Sequence, residues 1–239
     1  MFALNYAHRN QLLASLPYEE LRLLQPQLEL VDLPLGKVIH ESGVPPEFAY
    51  FPTSAIVSLV YTTEGGASSE IAMVGPEGAV GICIFMGGTS MPIRAEVCSA
   101  GMGYRLRAHA VKAAFERSDR VKYLMLCYTQ ALLTQISHTA VCNRHHSVDQ
   151  LFCRWLLQSL DRQHGNELLM TQELIANMLG VRREGVTEAA LRLQAAGIIR
   201  YARGHIWVLD RAGLEARACD CYRVVKREYD RLLPAVKAA

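Results

Sequence analysis

Thr171-Gln172-Glu173-Leu174-Ile175-Ala176-Asn177-Met178-Leu179-Gly180-Val181-Arg182-Arg183-Glu184-Gly185-Val186-Thr187 is the stretch that decides how this chain is read. Thr171 is a good helix N-cap, because its hydroxyl can accept one of the amide protons left unpaired at a helix start. Leu174, Ile175 and Met178 recur at helical spacing, which gives one apolar stripe. Gly180 stops this helix, since glycine tolerates the positive φ of a helix terminus. A second helical pattern follows, with Val186, Ala190 and Leu193 on one face and Arg182, Arg183, Thr187 and Glu188 elsewhere. Two short helices across a tight glycine turn form a helix-turn-helix. Ala176 is small where the helices cross, and Val186 is apolar where the second helix packs back.

Downstream, Gly197 ends the second helix, and Ile198–Tyr201 and His205–Leu209 read as two β-rich runs about an Arg203-Gly204 turn. Helix, turn, helix and hairpin make a winged helix. At this point the sequence resembles the C-terminal domain of the CRP/FNR superfamily of bacterial transcription regulators. In that family an Arg-Glu pair opens the recognition helix, and Arg183-Glu184 match it. Glu188 stands where the family carries a further arginine, a departure from its pattern. The resemblance implies that Arg182, Arg183, Glu184, Thr187 and Glu188 face DNA in a major groove. Arg183 suits paired hydrogen bonds to guanine, and Glu184 can accept from cytosine N4. Thr171 and Arg203 are candidate phosphate contacts from the first helix and the wing.

The chain has 239 residues, 51% of them hydrophobic and 20% charged, which suits two globular domains with real cores. Residues 1–143 carry 10 Lys+Arg against 12 Asp+Glu, whereas 144–239 carry 15 against 11. The basic excess therefore lies in the half with the helix-turn-helix, where phosphate contacts need it. It is modest, so two copies should bind DNA together. No apolar run reaches the length of a membrane span. Met1 to Arg9 lacks the basic start and apolar core of a signal peptide, so the expectation is a cytoplasmic protein with no membrane partner. Seven cysteines scattered through apolar segments do not form a disulfide framework.

The N-terminal half changes period. Short helical pieces over Asn10–Leu24, with Pro17 at the start of the second, give way to strand-like runs. These runs are Leu28 to Leu33, Lys37–His40, Ala49–Phe51, Ile56–Thr62 and Glu70–Val74, punctuated by turns such as Glu64-Gly65-Gly66. Short strands broken by Gly and Pro suggest a β sandwich or jelly roll. A jelly roll before a winged helix resembles the cyclic-nucleotide-binding-like sensor of the same superfamily, and the likeness runs from about Leu12 to Leu209. The fold expected is thus α+β: an N-terminal β jelly roll, a long dimerisation helix and a C-terminal winged helix-turn-helix.

The resemblance also locates an effector pocket, at Gly81, Ile82, Ile93, Arg94 and Tyr128. Family members hold a cyclic phosphate there with a short helix, a glutamate on the ribose and an arginine on the phosphate. Here Gly81 matches, but the glutamate is Ile82 and the arginine position is Ile93, with Arg94 one place along. In a strand, one place is the opposite face. An unpaired phosphate in an apolar pocket costs several kcal/mol. The pocket is therefore read as degenerate, with cyclic AMP bound weakly or not at all; a cyclic dinucleotide is an alternative effector.

Residues 119–144 contain neither Pro nor Gly, and Val121, Leu124 or Met125, Tyr128, Leu132 and Gln135 trace an approximately heptad stripe. Leu126, Leu133 and Ile136 add apolar positions suited to a helix lying on its own sandwich. The resemblance favours a homodimer built on this helix, which reads a palindromic site, and implies RNA polymerase as a further partner. The boundaries expected are 1–118 for the sensor, 119–146 for the connecting and dimerisation helix, 147–210 for the winged helix and 211–239 for a helical extension. Cys142, His145 and His146 give a further alternative, a redox or metal sensor, although the sequence does not identify a fourth ligand. Cys219-Asp220-Cys221 in the extension is only a weak metal or redox signal. No cofactor and no catalytic activity are expected, because no paired carboxylates or nucleophile–base arrangement appear in a convincing context.

Overall fold

A computed structural model describes residues 9–163 and 165–234; the signal-peptide reading of Met1 to Arg9 falls almost wholly outside them. The described residues open with two short helices, α1 (Gln11–Ala14) and α2 (Tyr18–Leu24). Buried Asn10 caps α1 by accepting from the Leu13 amide, and its own amide donates to the carbonyls of Pro52 and Gly78 at 2.9 and 2.8 Å. One side chain thus nails the entry helix to the sandwich.

The sandwich has two antiparallel sheets. One orders β1 (Glu29–Leu33), β7 (Gly101–Arg107) and β3 (Phe48–Pro52); the other orders β2 (Val38–His40), β6 (Arg94–Ser99), β4 (Ile56–Thr62) and β5 (Ser68–Val74). Strand β4 explains its own sequence. Val57 and Leu59 point into the sandwich core, while Ile56 and Val60 join a second core on the outer face of the sheet. A strand buried on both faces reads as a continuous apolar run rather than an alternation.

After β7 come α3 (Ala108–Arg117) and the 27-residue α4 (Asp119–His145), capped by Ser118. The C-terminal part holds α5 (Val148–Leu160), β8 (Glu167–Leu169), α6 (Gln172–Leu179), α7 (Arg183–Ala195), β9 (Ile199–Ala202), β10 (His205–Val208), α8 (Arg211–Arg217) and α9 (Asp220–Leu232). Ser147 and Gln150 form a capping box that starts α5 two residues after α4 ends, so the chain turns there without a flexible linker.

The fold class is the α+β arrangement expected, with local differences. The helical stripe Val121, Leu124, Met125, Tyr128, Leu132 and Gln135 is buried in the chain's own core, against the sandwich and α9. It is therefore not available to a twin helix. The exposed face carries Tyr123, Leu126, Gln130, Leu133, Ser137, Ala140 and Arg144, alternating at four and three residues. The sequence assignment missed β7, α3 and β8. The wing is accordingly a three-stranded sheet, β8-β10-β9.

Two buried polar groups tie the halves together. Glu70 on β5 is fully buried, accepting from Ser58 Oγ and, at 3.1 Å, from Trp155 Nε1 on α5. Arg162, just past α5, pairs with Glu77 at 2.7 Å and donates to Gln135 Oε1, which also accepts from Tyr229 on α9.

Candidate nucleic-acid interface and effector cavity

In the helix-turn-helix, Thr171 Oγ1 accepts from the Leu174 amide at 3.2 Å and so caps α6. Gly180 closes that helix with φ 65°. Ile175, Ala176, Met178 and Leu179 from α6 face Val186, Ala189, Ala190 and Leu193 from α7 across one core. That packing leaves the opposite side of the first turns of α7 in solvent: Arg182, Arg183, Glu184 and Glu188 are exposed, and Thr187 is half-buried. Thr187 Oγ1 donates to Gln172 Oε1 at 2.8 Å, which fixes the outer surface of one helix against the other. Arg183 forms no ion pair within 4 Å among the described residues, whereas Arg192, further along the helix, makes a two-armed pair with Asp149 at 2.7 and 2.8 Å. Glu188 lies 3.5 Å from Arg192, so its charge is partly matched within the helix.

Arg203 and Gly204 form the two-residue wing turn, both with positive φ (51° and 83°). Two left-handed residues suit a tight hairpin whose twist matches its strands. Arg203 projects exposed from this tip. Behind it, His205 stacks on Trp207 at 5.3 Å and Arg200 lies 4.2 Å over the Trp207 ring, which stiffens the hairpin. Thr171, the start of α7 and the wing tip thus stand clear of the protein core, as a duplex-reading surface requires.

The sandwich is different. Gly81 (φ 105°) begins a single 3-10 turn over Ile82–Ile84. A Cβ there would lie 3.1 Å from His40 and 3.2 Å from Ile84, so glycine is favoured by both conformation and space. Gly81, Ile82 and Ile93 line one cavity with Val44, Leu59 and Leu132, of about 40 Å³. That is room for a few waters at most. Arg94 turns away from it, 3.8 Å from Glu41 and 3.4 Å from Glu96. Tyr128 does not line this cavity but meets Gly81 and Ile82 around a smaller apolar one behind it; its buried hydroxyl donates to the Ala79 carbonyl at 2.8 Å, beneath Gly78, where a Cβ would come within 2.5 Å of the ring. Burial pushes the Tyr128 phenol well above its ordinary range. His40 Nε2 sits 2.8 Å from the Phe48 carbonyl, and desolvation lowers the imidazole pKa.

The cysteine and histidine motifs rearrange. Cys142 and His146, one turn apart at the end of α4, meet Cys219 and Cys221 at the start of α9, with the four ligand atoms all within 4.8 Å of one another. His145 is exposed and lies outside this group. The Cys142 and Cys219 sulfurs are 3.5 Å apart, and this contact, with His146 and Arg154 nearby, holds the Cys219 thiol below its ordinary range. Sequence spacing hid this group because its halves lie 77 residues apart.

Residues 152–217 match the Crp-like helix-turn-helix domain family. The fold is similar to that of a putative transcriptional regulator of the CRP/FNR family from Eubacterium rectale (20% identity, 90% of this chain and 99% of that one, TM-score 0.68). It is also similar to FixK2 from Bradyrhizobium japonicum (17% identity, 80% and 98%, TM-score 0.69) and to CLP from Xanthomonas campestris, described as c-di-GMP responsive (15%, 80% and 99%, TM-score 0.64). No curated protein matches the sequence. Among the described residues no helix is long and apolar enough to cross a membrane.

Proposed function

We propose that this chain, which carries a Crp-like helix-turn-helix domain within the fold of CRP/FNR regulators, is a sequence-specific, DNA-binding transcription regulator that acts as a homodimer. The observation that carries the reading is the row from Arg182 to Glu188, held outward by a fully packed inner face of α7. Arg183, free of an ion pair among the described residues, is the guanine reader; Glu184 accepts from cytosine; Thr171 and Arg203 hold phosphates on either side. The heptad-spaced face from Tyr123 to Arg144, rather than the buried stripe, is the seam for a second copy, and two-fold pairing calls for a palindromic site. RNA polymerase is the further partner and the cytoplasm the location that such a regulator implies.

The sensor in this reading does not bind cyclic AMP appreciably. Its cavity has room for a few waters, and Arg94, which is not part of the lining, is engaged by Glu41 at the cavity wall and by Glu96. Selection of bound fragments from random duplex DNA, followed by gel-shift titration, tests the main claim: a single palindromic motif is expected. Sequence-independent binding alone would overturn it. Calorimetry with cyclic AMP and, separately, with cyclic di-GMP tests the sensor; cyclic AMP affinity tighter than about 10 μM (roughly −7 kcal/mol) would refute the degenerate pocket.

A further inference from the structure

The group formed by Cys142, His146, Cys219 and Cys221 lies at a position that the DNA-reading surface does not use and outside the residues matched by the helix-turn-helix family, 152–217, with two of the four on either side of them. We infer that these four residues form a tetrahedral site for a single zinc-class divalent ion, which clamps the start of α9 to the hinge between α4 and α5.

Three observations support it. The first is chemical. Three thiols and an imidazole are a complete ligand set for a structural zinc site, and such sites are four-coordinate. The second is dimensional. A zinc–sulfur bond of about 2.3 Å places tetrahedral sulfurs about 3.8 Å apart, and here one sulfur pair stands at 3.5 Å with all four ligand atoms inside 4.8 Å. Iron–sulfur clusters distribute their ligands over separate irons and spread them further.

The third is the state of the histidine. His146 Nδ1 is buried and has no hydrogen-bond partner, while Nε2 lies 3.8 Å from the Asp220 carboxylate. Metal-ligating histidines have this form: one nitrogen on the ion, the other turned to a carboxylate that fixes the ring. An orphaned buried nitrogen is costly unless something binds it.

The surroundings suit an anionic centre. Three thiolates and one divalent ion leave a net charge of −1. Buried Arg154 on α5 donates to Thr139 at 3.1 Å and has no ion pair within 4 Å among the described residues. The N-terminus of α9, where Cys219 is the cap residue, adds a favourable dipole. Loading exchanges the three thiol protons for the ion, with no change of oxidation state. His146 is the C-cap of α4 and precedes the Ser147 cap of α5, so the ion would fix the joint from which the DNA-reading half departs.

The test uses untagged full-length protein, purified under reducing conditions. Elemental analysis should find about one zinc per chain. After chelation, a cobalt(II) titration should saturate at one equivalent, with thiolate charge-transfer and tetrahedral visible bands. Cys142→Ser, His146→Gln, Cys219→Ser and Cys221→Ser should each weaken cobalt binding at least tenfold, while His145→Ala keeps it. Because a ligand variant can unfold, the titration of the wild-type chain is decisive alone. Folded, reduced protein that takes up neither ion overturns the inference. So does iron with stoichiometric sulfide in place of zinc, or an isolated Cys142–Cys219 disulfide whose reduction restores no metal uptake.

Discussion

The two ends of this molecule treat polar chemistry in opposite ways. At the start of α7, four charged side chains sit in solvent on a helix whose other face is closed by Val186, Ala190 and Leu193. In the sandwich, the positions where the resemblance expects a glutamate and an arginine are Ile82 and Ile93, and they line a cavity of about 40 Å³. One surface has its interior settled and its exterior charged and available; the other presents aliphatic side chains to a small cavity. The sequence change is small, but each lost polar partner removes a charge-assisted hydrogen bond that a bound phosphate would need.

That contrast breaks most visibly under truncation. Ile82→Ala should lower folding stability by about 2–4 kcal/mol in urea titration, with operator affinity per folded molecule unchanged. An Ile82→Ala protein of unaltered stability would mean the site is not core. Next is the buried carboxyl between the two halves. Desolvation raises Glu70 from 4.5 to about 7 despite hydrogen bonds from Ser58 and Trp155 and the fields of Arg154 and Arg162. The unfolded chain ionises this group near 4.5, whereas the folded chain keeps its proton to about 7. The folded state thus holds more protons in between, and stability should fall as pH rises from 4.5 to 7, then level, by on the order of 3 kcal/mol. Glu70→Gln should flatten that limb of a pH series of melts.

At the exposed end the expectation reverses. Arg183→Ala should weaken the selected operator by roughly 1–3 kcal/mol and relax preference at one base pair, while stability stays within about 0.5 kcal/mol. Unchanged affinity in gel-shift titration would remove Arg183 from base reading. The smallest effect is at Thr171, which both caps α6 and stands ready for a phosphate. Thr171→Ala should cost about 1 kcal/mol of stability, and a parallel loss of operator affinity with a lower salt slope would separate the two roles.

The helix-turn-helix was legible because its signals are local. Thr171 as cap, Gly180 in the left-handed turn and the Arg203-Gly204 wing turn each act within a few residues of themselves. The sandwich was legible in part. Strand β7 alternates little, with glycines at 101 and 103 that admit close backbone: a Cβ at Gly101 would meet Ala55 at 2.5 Å. Strand β8 has three residues and exists only because β10 pairs with it. On α4 the helical repeat gave two stripes of one period, and only packing could assign the buried one. The cysteine–histidine group depends on α9 returning antiparallel along α4, which no local pattern announces.

The pairing of Arg162 with Glu77, shared with Gln135 and Tyr229, has a consequence for signalling. These groups come from the sandwich, α4, the end of α5 and α9, and the guanidinium is almost wholly enclosed. Tilting the winged-helix half, the reading head, would part Arg162 from Glu77 and Gln135 and leave a largely enclosed guanidinium without its counter-charge, at a cost of up to several kcal/mol. Intermediate tilts are therefore sparsely populated, and the head should snap between a docked posture and one far enough away for water to enter. An effector would need to favour one posture by a comparable margin before promoters respond.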